Sequence, residues 1–207
     1  MNLPNKITMC RIVLAVIVLL LLMFPYGAIG VNVPVYQITG NITLKLNYIV
    51  AGVLFIIASV TDFLDGNIAR KNNLVTDFGK VMDAIADKVL VNGVLIILAY
   101  NGNIPLVIPV VIILRDTVVD SIKMIAGKKG NVVAASIWGK LKTICMMVGL
   151  CLVFFSNLPF ELIGIRLDYI LLIIATVLSI YSGIQYFIVN KQYFLEDKKC
   201  LLFFYKN

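Results

Sequence analysis

Apolar residues in this chain come in six runs separated by polar segments: about Ile12 to Tyr26, Leu46 to Val60, Val81 to Tyr100, Ile104 to Leu114, Ile144 to Phe155 and Tyr169 to Val189. A helix needs about 20 residues to cross a bilayer. Several runs are shorter, and the missing length lies in the polar segments beside them. This predicts that the second helix continues into the acidic segment after it and the fourth toward Ile125. Backbone groups at membrane depth must be satisfied within their own helix. The pattern therefore predicts an all-α, polytopic membrane protein with six transmembrane helices. A short interfacial helix is expected ahead of the first, carrying Asn5, Thr8 and Arg11 at spacings of three. The connection GAIGVNVPVYQITGNITLK is expected to be irregular, because Gly, Pro and Asn punctuate it. No repeat or linker divides the chain, so residues 1–207 form one expected domain.

Composition sharpens this picture. The chain is 61% hydrophobic and only 14% charged, far more apolar than a soluble domain. Its net charge is +7. In a membrane chain such a balance reflects cytoplasmic Lys and Arg, not a nucleic-acid partner. With six crossings and a cytoplasmic N-terminus, every Lys and Arg except Lys45 and Arg166 falls on or near the cytoplasmic side. Both termini then lie in the cytoplasm, in the cell membrane. The first run is read as a retained span, since no convincing cleavage site follows it. Cys10, Cys145, Cys151 and Cys200 are scattered, with no paired spacing for a disulfide or zinc site. There is no histidine, so acid–base or metal chemistry must rest on carboxylates.

The carboxylates are concentrated. Residues 61–88, TDFLDGNIARKNNLVTDFGKVMDAIADK, hold five of the 11 acidic residues: Asp62, Asp65, Asp77, Asp83 and Asp87. On a helix, Asp62, Asp65, Gly66 and Ala69 form one stripe, and Asp83 and Asp87 share a face of the next helix. Asp77 reads as a loop residue. Two helices joined by a short segment can set the two faces opposite each other. Four clustered like charges need neutralising cations or protons, and hard divalent ions prefer oxygen ligands. Gly66, Ala69 and Gly79 would allow close approach of a ligand, and Arg70 could fork onto a phosphate. These residues fit phosphate chemistry, an ion path through a transporter, or a solvated, packed loop.

The segment matches D-x2-D-G-x2-A-R-x8-G-x3-D-x3-D, eight fixed positions over 26 residues. It resembles the signature of the CDP-alcohol phosphatidyltransferases. The opening MNLPNKITMCRI, ADKVLV and RDTVVDSIKMIAGKKGNVVAASIWGKLKT are similar to the subgroup whose acceptor is glycerol 3-phosphate, with departures at Ala84, Asp116 and Lys123. The resemblance implies transfer of the phosphatidyl group of CDP-diacylglycerol to glycerol 3-phosphate, releasing CMP. It implies two divalent ions, Mg²⁺ or Mn²⁺, on Asp62, Asp65, Asp83 and Asp87, with Asp87 also the catalytic base. Gly66, Arg70 and Thr76 match nucleotide-binding positions, and Ala69 and Gly79 belong to the same lipid-nucleotide site. A homodimer is implied as well. Another acceptor, giving cardiolipin, phosphatidylserine or an inositol-phosphate lipid, is the alternative within the family.

Glycerol 3-phosphate carries two negative charges, so its pocket should be basic. Arg115, Lys140 and Lys142 fall on the same membrane face as the acidic segment and are candidates for its phosphate, with Arg11. Asn5, Thr8 and Arg11 could also cover the cytidine end. Trp138 is expected as an interfacial anchor.

Overall fold

The computed structural model describes residues 3–39, 42–71, 77–128 and 136–190. For residues 3–5, 39, 63–71, 77, 78, 80 and 128 it describes the backbone only. Among the described residues, six α-helices dominate: α1 (Leu3–Met23), α2 (Leu46–Lys71), α3 (Asp77–Tyr100), α4 (Val107–Lys128), α5 (Ile137–Phe154) and α6 (Leu167–Asn190). Two 3₁₀ turns, Tyr26–Ile29 and Phe160–Ile163, lie in connections. Lys6–Met23, Ile137–Phe154 and Leu167–Asn190 are long and apolar enough to cross a membrane, and Leu46–Asp62 is a shorter apolar stretch.

Three expectations are corrected. The N-terminal segment is not a separate interfacial helix: residues 3–23 run without interruption into the first apolar run, because no Gly or Pro follows Pro4 until Pro25. Nor is the connection after α1 wholly irregular. It contains an antiparallel hairpin, β1 (Val35–Thr39) and β2 (Ile42–Lys45), pairing Val35 with Lys45 and Tyr36 with Leu44, with a register shift between Gln37 and Thr39. Gly-Asn between two runs rich in β-branched residues is a hairpin signal. Asp77, read as a loop residue, opens α3. The predicted helical extensions are present, with α2 running to Lys71 and α4 to Lys128.

The chain forms two compact units, Met1–Leu106 with Val148–Tyr169, and Val107–Met147 with Ile170–Asn207. In the first, α1 packs on both α2 and α3. Its buried positions are Thr8, Arg11, Ala15, Val18 and Leu22, spaced by threes and fours as a packing seam demands. The matching seam on α2 is Ala51, Phe55 and Ala58, followed by half-buried Asp62. On α3, Asp83 precedes buried Ala86, Leu90 and Val94. Small residues permit close approach between helices. A Cβ on Gly93 would lie 2.6 Å from Leu19 Cδ2, and one on Gly52 only 2.8 Å from Phe154 Cβ. All three seams are apolar along most of their length and turn polar at the same end, at Thr8 and Arg11, Asp62, and Asp83.

The opposite end of this unit is tied by polar contacts. Tyr48 donates to Asn103 Oδ1 and accepts from Asn101 Nδ2, and Ser156 donates to the Thr43 carbonyl. Buried Asn157, at φ 58°, donates to Glu161 and to the Ile165 carbonyl and accepts from the Asp168 amide. A cavity of about 730 Å³ opens there among Tyr26, Asn47, Tyr48 and Asn101, and none of the predicted site residues lines it.

In the second unit, Ile108, Ile112, Val119, Ile122 and Ala126 are the buried stripe of α4, and Arg115 falls in register with them. The facing stripe on α6 is Leu172, Ala175, Ser179, Ser182, Tyr186 and Asn190. Its polar members lie in the half toward Asn190.

Candidate active site

The first unit builds a carboxylate pair. Asp62 comes from α2 and Asp83 from α3, and the Arg11 guanidinium on α1 joins them. One nitrogen, Nη1, lies 2.5 Å from Asp62 Oδ1 and 3.4 Å from Asp83 Oδ1. Thr8, one turn earlier, donates to the same Asp83 oxygen at 2.8 Å. The Arg11 side chain is 1% exposed, while those of Asp62 and Asp83 are 46% and 42% exposed. The cation is therefore buried and the carboxylates open to what approaches. This follows from the seam: the stem of Arg11 is packed like its apolar neighbours and only its head meets charge.

Asp87 stands one turn beyond Asp83 on α3 and is exposed. Gly79 lies in the first turn of α3. The backbone of Asp65, Gly66, Ala69 and Arg70 continues α2 past Asp62, but their side chains, like that of Asn5, lie outside the described residues, and Thr76 lies outside them entirely. Among the described residues, no three ligating side chains gather as a metal group. The donor set nonetheless fits hard divalent cations. It is all carboxylate, the chain has no His, and two carboxylates from different helices already close around one positive group.

The second unit builds a cationic cluster around a single acid. Lys142 donates to both oxygens of Asp116 at 2.7 Å, and Arg115 Nη1 donates to Asp116 Oδ1 at 2.9 Å. Arg115 Nη2 donates to Ser182 Oγ at 2.7 Å, and the guanidinium lies 5.8 Å from the Tyr186 ring centroid. Tyr186 Oη accepts from the Ser136 amide, fixing the start of α5. Lys142 is buried and Lys140 exposed. Two cations face one carboxylate, so this trio keeps a net positive charge. Trp138, the expected anchor, is 41% exposed and packs edge-on against Tyr181 at 5.3 Å.

Sequence reasoning singled out Arg115 and Lys142 but missed Ser182, Gly183 and Tyr186, which surround Arg115. Their signal was polar and small residues on the otherwise apolar face of α6. Arg11, assigned from sequence to the acceptor's phosphate, is engaged here with Asp62 and Asp83.

Comparison with known proteins gives a consistent answer. A family model described as CDP-alcohol phosphatidyltransferase matches residues 1–181. A CDP-diacylglycerol–glycerol-3-phosphate 3-phosphatidyltransferase of Bacillus subtilis is 38% identical over 189 residues, covering 91% of this chain and 95% of the relative. Proteins of the same name from Mycoplasma pneumoniae and Rickettsia typhi are 40% and 34% identical, over 76% and 93% of this chain and 70% and 99% of theirs. With three long apolar helices among its described residues, this integral membrane protein is a member of the CDP-alcohol phosphatidyltransferase family.

Proposed function

We propose that this enzyme transfers the phosphatidyl group of CDP-diacylglycerol to glycerol 3-phosphate, giving phosphatidylglycerol phosphate and CMP. The observation that carries the reading is the Asp62–Asp83 pair, brought together from two helices at the polar end of an apolar seam. Relatives bearing the name of that activity, at 34–40% identity over most of the chain, support the choice of acceptor.

The acceptor's primary hydroxyl attacks the phosphorus that carries diacylglycerol, and the bond from that phosphorus to the CMP oxygen breaks. Asp87 accepts the hydroxyl proton, one turn from Asp83 on the same helix. Asp62, Asp65, Asp83 and Asp87 would hold two divalent cations, Mg²⁺ or Mn²⁺, which would supply charge neutralisation at the pyrophosphate. Asn5, Thr8, Gly66, Ala69, Arg70, Thr76 and Gly79 are assigned to the lipid nucleotide. Arg115, Lys140 and Lys142 are assigned to the acceptor's phosphate, which the net positive charge of their cluster favours. Arg11, expected from sequence at the acceptor's phosphate, is buried against Asp62 and Asp83 and is assigned instead as their counter-ion.

The Lys and Arg asymmetry supports six spans with both termini in the cytoplasm and the site on that face. The family match runs through both compact units, which supports one catalytic domain. The family resemblance supports a homodimer, which light scattering of the purified protein in detergent tests.

An acceptor panel tests the reaction. The purified protein receives CDP-diacylglycerol and Mg²⁺ with, in turn, glycerol 3-phosphate, serine, inositol phosphate and phosphatidylglycerol, and the lipid product is weighed by mass spectrometry. Phosphatidylglycerol phosphate from the first alone supports the reading. Product from another acceptor only would replace it with that family member's reaction.

A further inference from the structure

Arg115 sits in a slot that α6 builds for it. A Cβ on Gly183 would lie 2.9 Å from Arg115 Cγ, 3.7 Å from its Nε and 3.9 Å from its Cδ. The first distance is shorter than carbon atoms tolerate, and Cγ is near the root of the side chain. It cannot be relieved by swinging the tip; the whole stem must shift. From α5, Gly139 closes another side, where a Cβ would stand 3.6 Å from Arg115 Nη2. Ser182, beside Gly183, accepts from Nη2 and donates its own hydroxyl to the Ser179 carbonyl at 3.1 Å. Tyr186, one turn on, lies against the guanidinium.

The guanidinium is thus aimed from several sides, yet its Nε–H is buried with no partner among the described residues. A buried donor without an acceptor is costly and unusual. Beside it, Nη1 is held by Asp116 and Nη2 by Ser182. The fork is fixed by protein at both tips, and with two of its five N–H groups so used it keeps charged donors to spare.

We propose that Ser182 and Gly183 are positioning residues that give the enzyme its preference for a phosphate-bearing acceptor, by holding Arg115 so that a guanidinium N–H not taken by Asp116 or Ser182 meets the acceptor's phosphate oxygen. The inference rests on the reading of Arg115 as a cation for the acceptor. It adds that the discrimination is set by the neighbouring helix, through one missing side chain and one hydroxyl. Gly183→Ala forces the stem aside, and Ser182→Ala removes the acceptor that orients Nη2. Both should weaken binding of a phosphate monoester and leave the lipid nucleotide alone.

The test is steady-state kinetics of the full chain in detergent for Gly183→Ala, Ser182→Ala, Arg115→Ala and the Gly183→Ala/Arg115→Ala double variant. For Gly183→Ala the KM for glycerol 3-phosphate should rise about tenfold, the loss of one hydrogen bond to a charged group. The KM for CDP-diacylglycerol and kcat should stay unchanged. Ser182→Ala, which adds no bulk, should move the same parameter in the same direction. Alanine is the better helix former, so a loss cannot come from helix propensity. In the Arg115→Ala background Cγ is gone, and Gly183→Ala should add nothing. A full additional loss in that background would make Gly183 a packing residue only and overturn the proposal. If Arg115→Ala raises the acceptor KM while both α6 variants are silent, the positioning role fails and the acceptor reading stands. If Arg115→Ala leaves the acceptor KM unchanged, both fall.

Discussion

Arg11→Met removes the buried cation that joins two carboxylates while keeping a long apolar stem in the seam. Among the described residues Arg11 Nη1 lies 2.5 Å from Asp62 and, at a longer 3.4 Å, from Asp83. A hydrogen bond between charged groups contributes about 1.5–3 kcal/mol. The longer contact adds less, and the roughly half-exposed carboxylates reduce the total through solvent screening, leaving about 1–3 kcal/mol. For a chain of this length each kcal/mol moves Tm by about 2–4 °C, so a fall of about 2–12 °C is expected in EDTA. The assay is thermal unfolding of the purified protein in detergent. Added Mg²⁺ or Mn²⁺ should narrow the gap between variant and parent, because a divalent ion neutralises the same carboxylates. Arg11→Lys, which keeps charge but loses the fork, should fall between. An unchanged Tm in EDTA, or a gap that widens with metal, would refute the reasoning that Arg11 serves as the pair's counter-ion.

Further outcomes follow from the same geometry. Chelation with EDTA should abolish turnover, and Mg²⁺ or Mn²⁺ should restore it; full activity in metal-free buffer would contradict the assignment of the four aspartates. Asp87→Asn should lower kcat by about 10²–10⁴-fold with CDP-diacylglycerol binding retained, as expected for loss of a positioned base. High Mn²⁺ should partly rescue Asp62→Asn and not Asp87→Asn, measured by turnover against metal concentration. Gly52→Ala should destabilise the first unit by about 1–3 kcal/mol, because the added methyl overpacks against Phe154 Cβ at 2.8 Å; a melt that matches the parent would show that α2 can shift freely.

The helices were legible because apolar runs bounded by Gly, Pro and polar segments leave few alternatives in a chain this hydrophobic. The acidic segment was legible because helical spacing alone puts Asp62 and Asp83 on faces that can meet. What was not legible depends on contacts across the sequence. Arg11 sits at the head of an apolar run and reads as an interfacial charge. Only the 8-11-15-18-22 spacing, taken as one buried seam, places it between Asp62 and Asp83. The pairing of Val35–Thr39 with Ile42–Lys45 was hidden because Gly, Pro and Asn punctuate this connection and read as breakers. Ser182 and Gly183 sit in a helix whose apolar content suggested lipid contact, and their partner, Arg115, lies 67 residues away in the chain. Charge counting singled out the cations; it could not say which carboxylate or hydroxyl each one faces.

The most direct test of phosphatidyl transfer is the stoichiometry of CMP release by the purified protein, given CDP-diacylglycerol and Mg²⁺ with glycerol 3-phosphate present or withheld. The expected result is CMP formed in equal amount to phosphatidylglycerol phosphate, and only when the acceptor is present. CMP released at the same rate without acceptor, or glycerol 3-phosphate recovered unchanged, would contradict attack by the acceptor's hydroxyl.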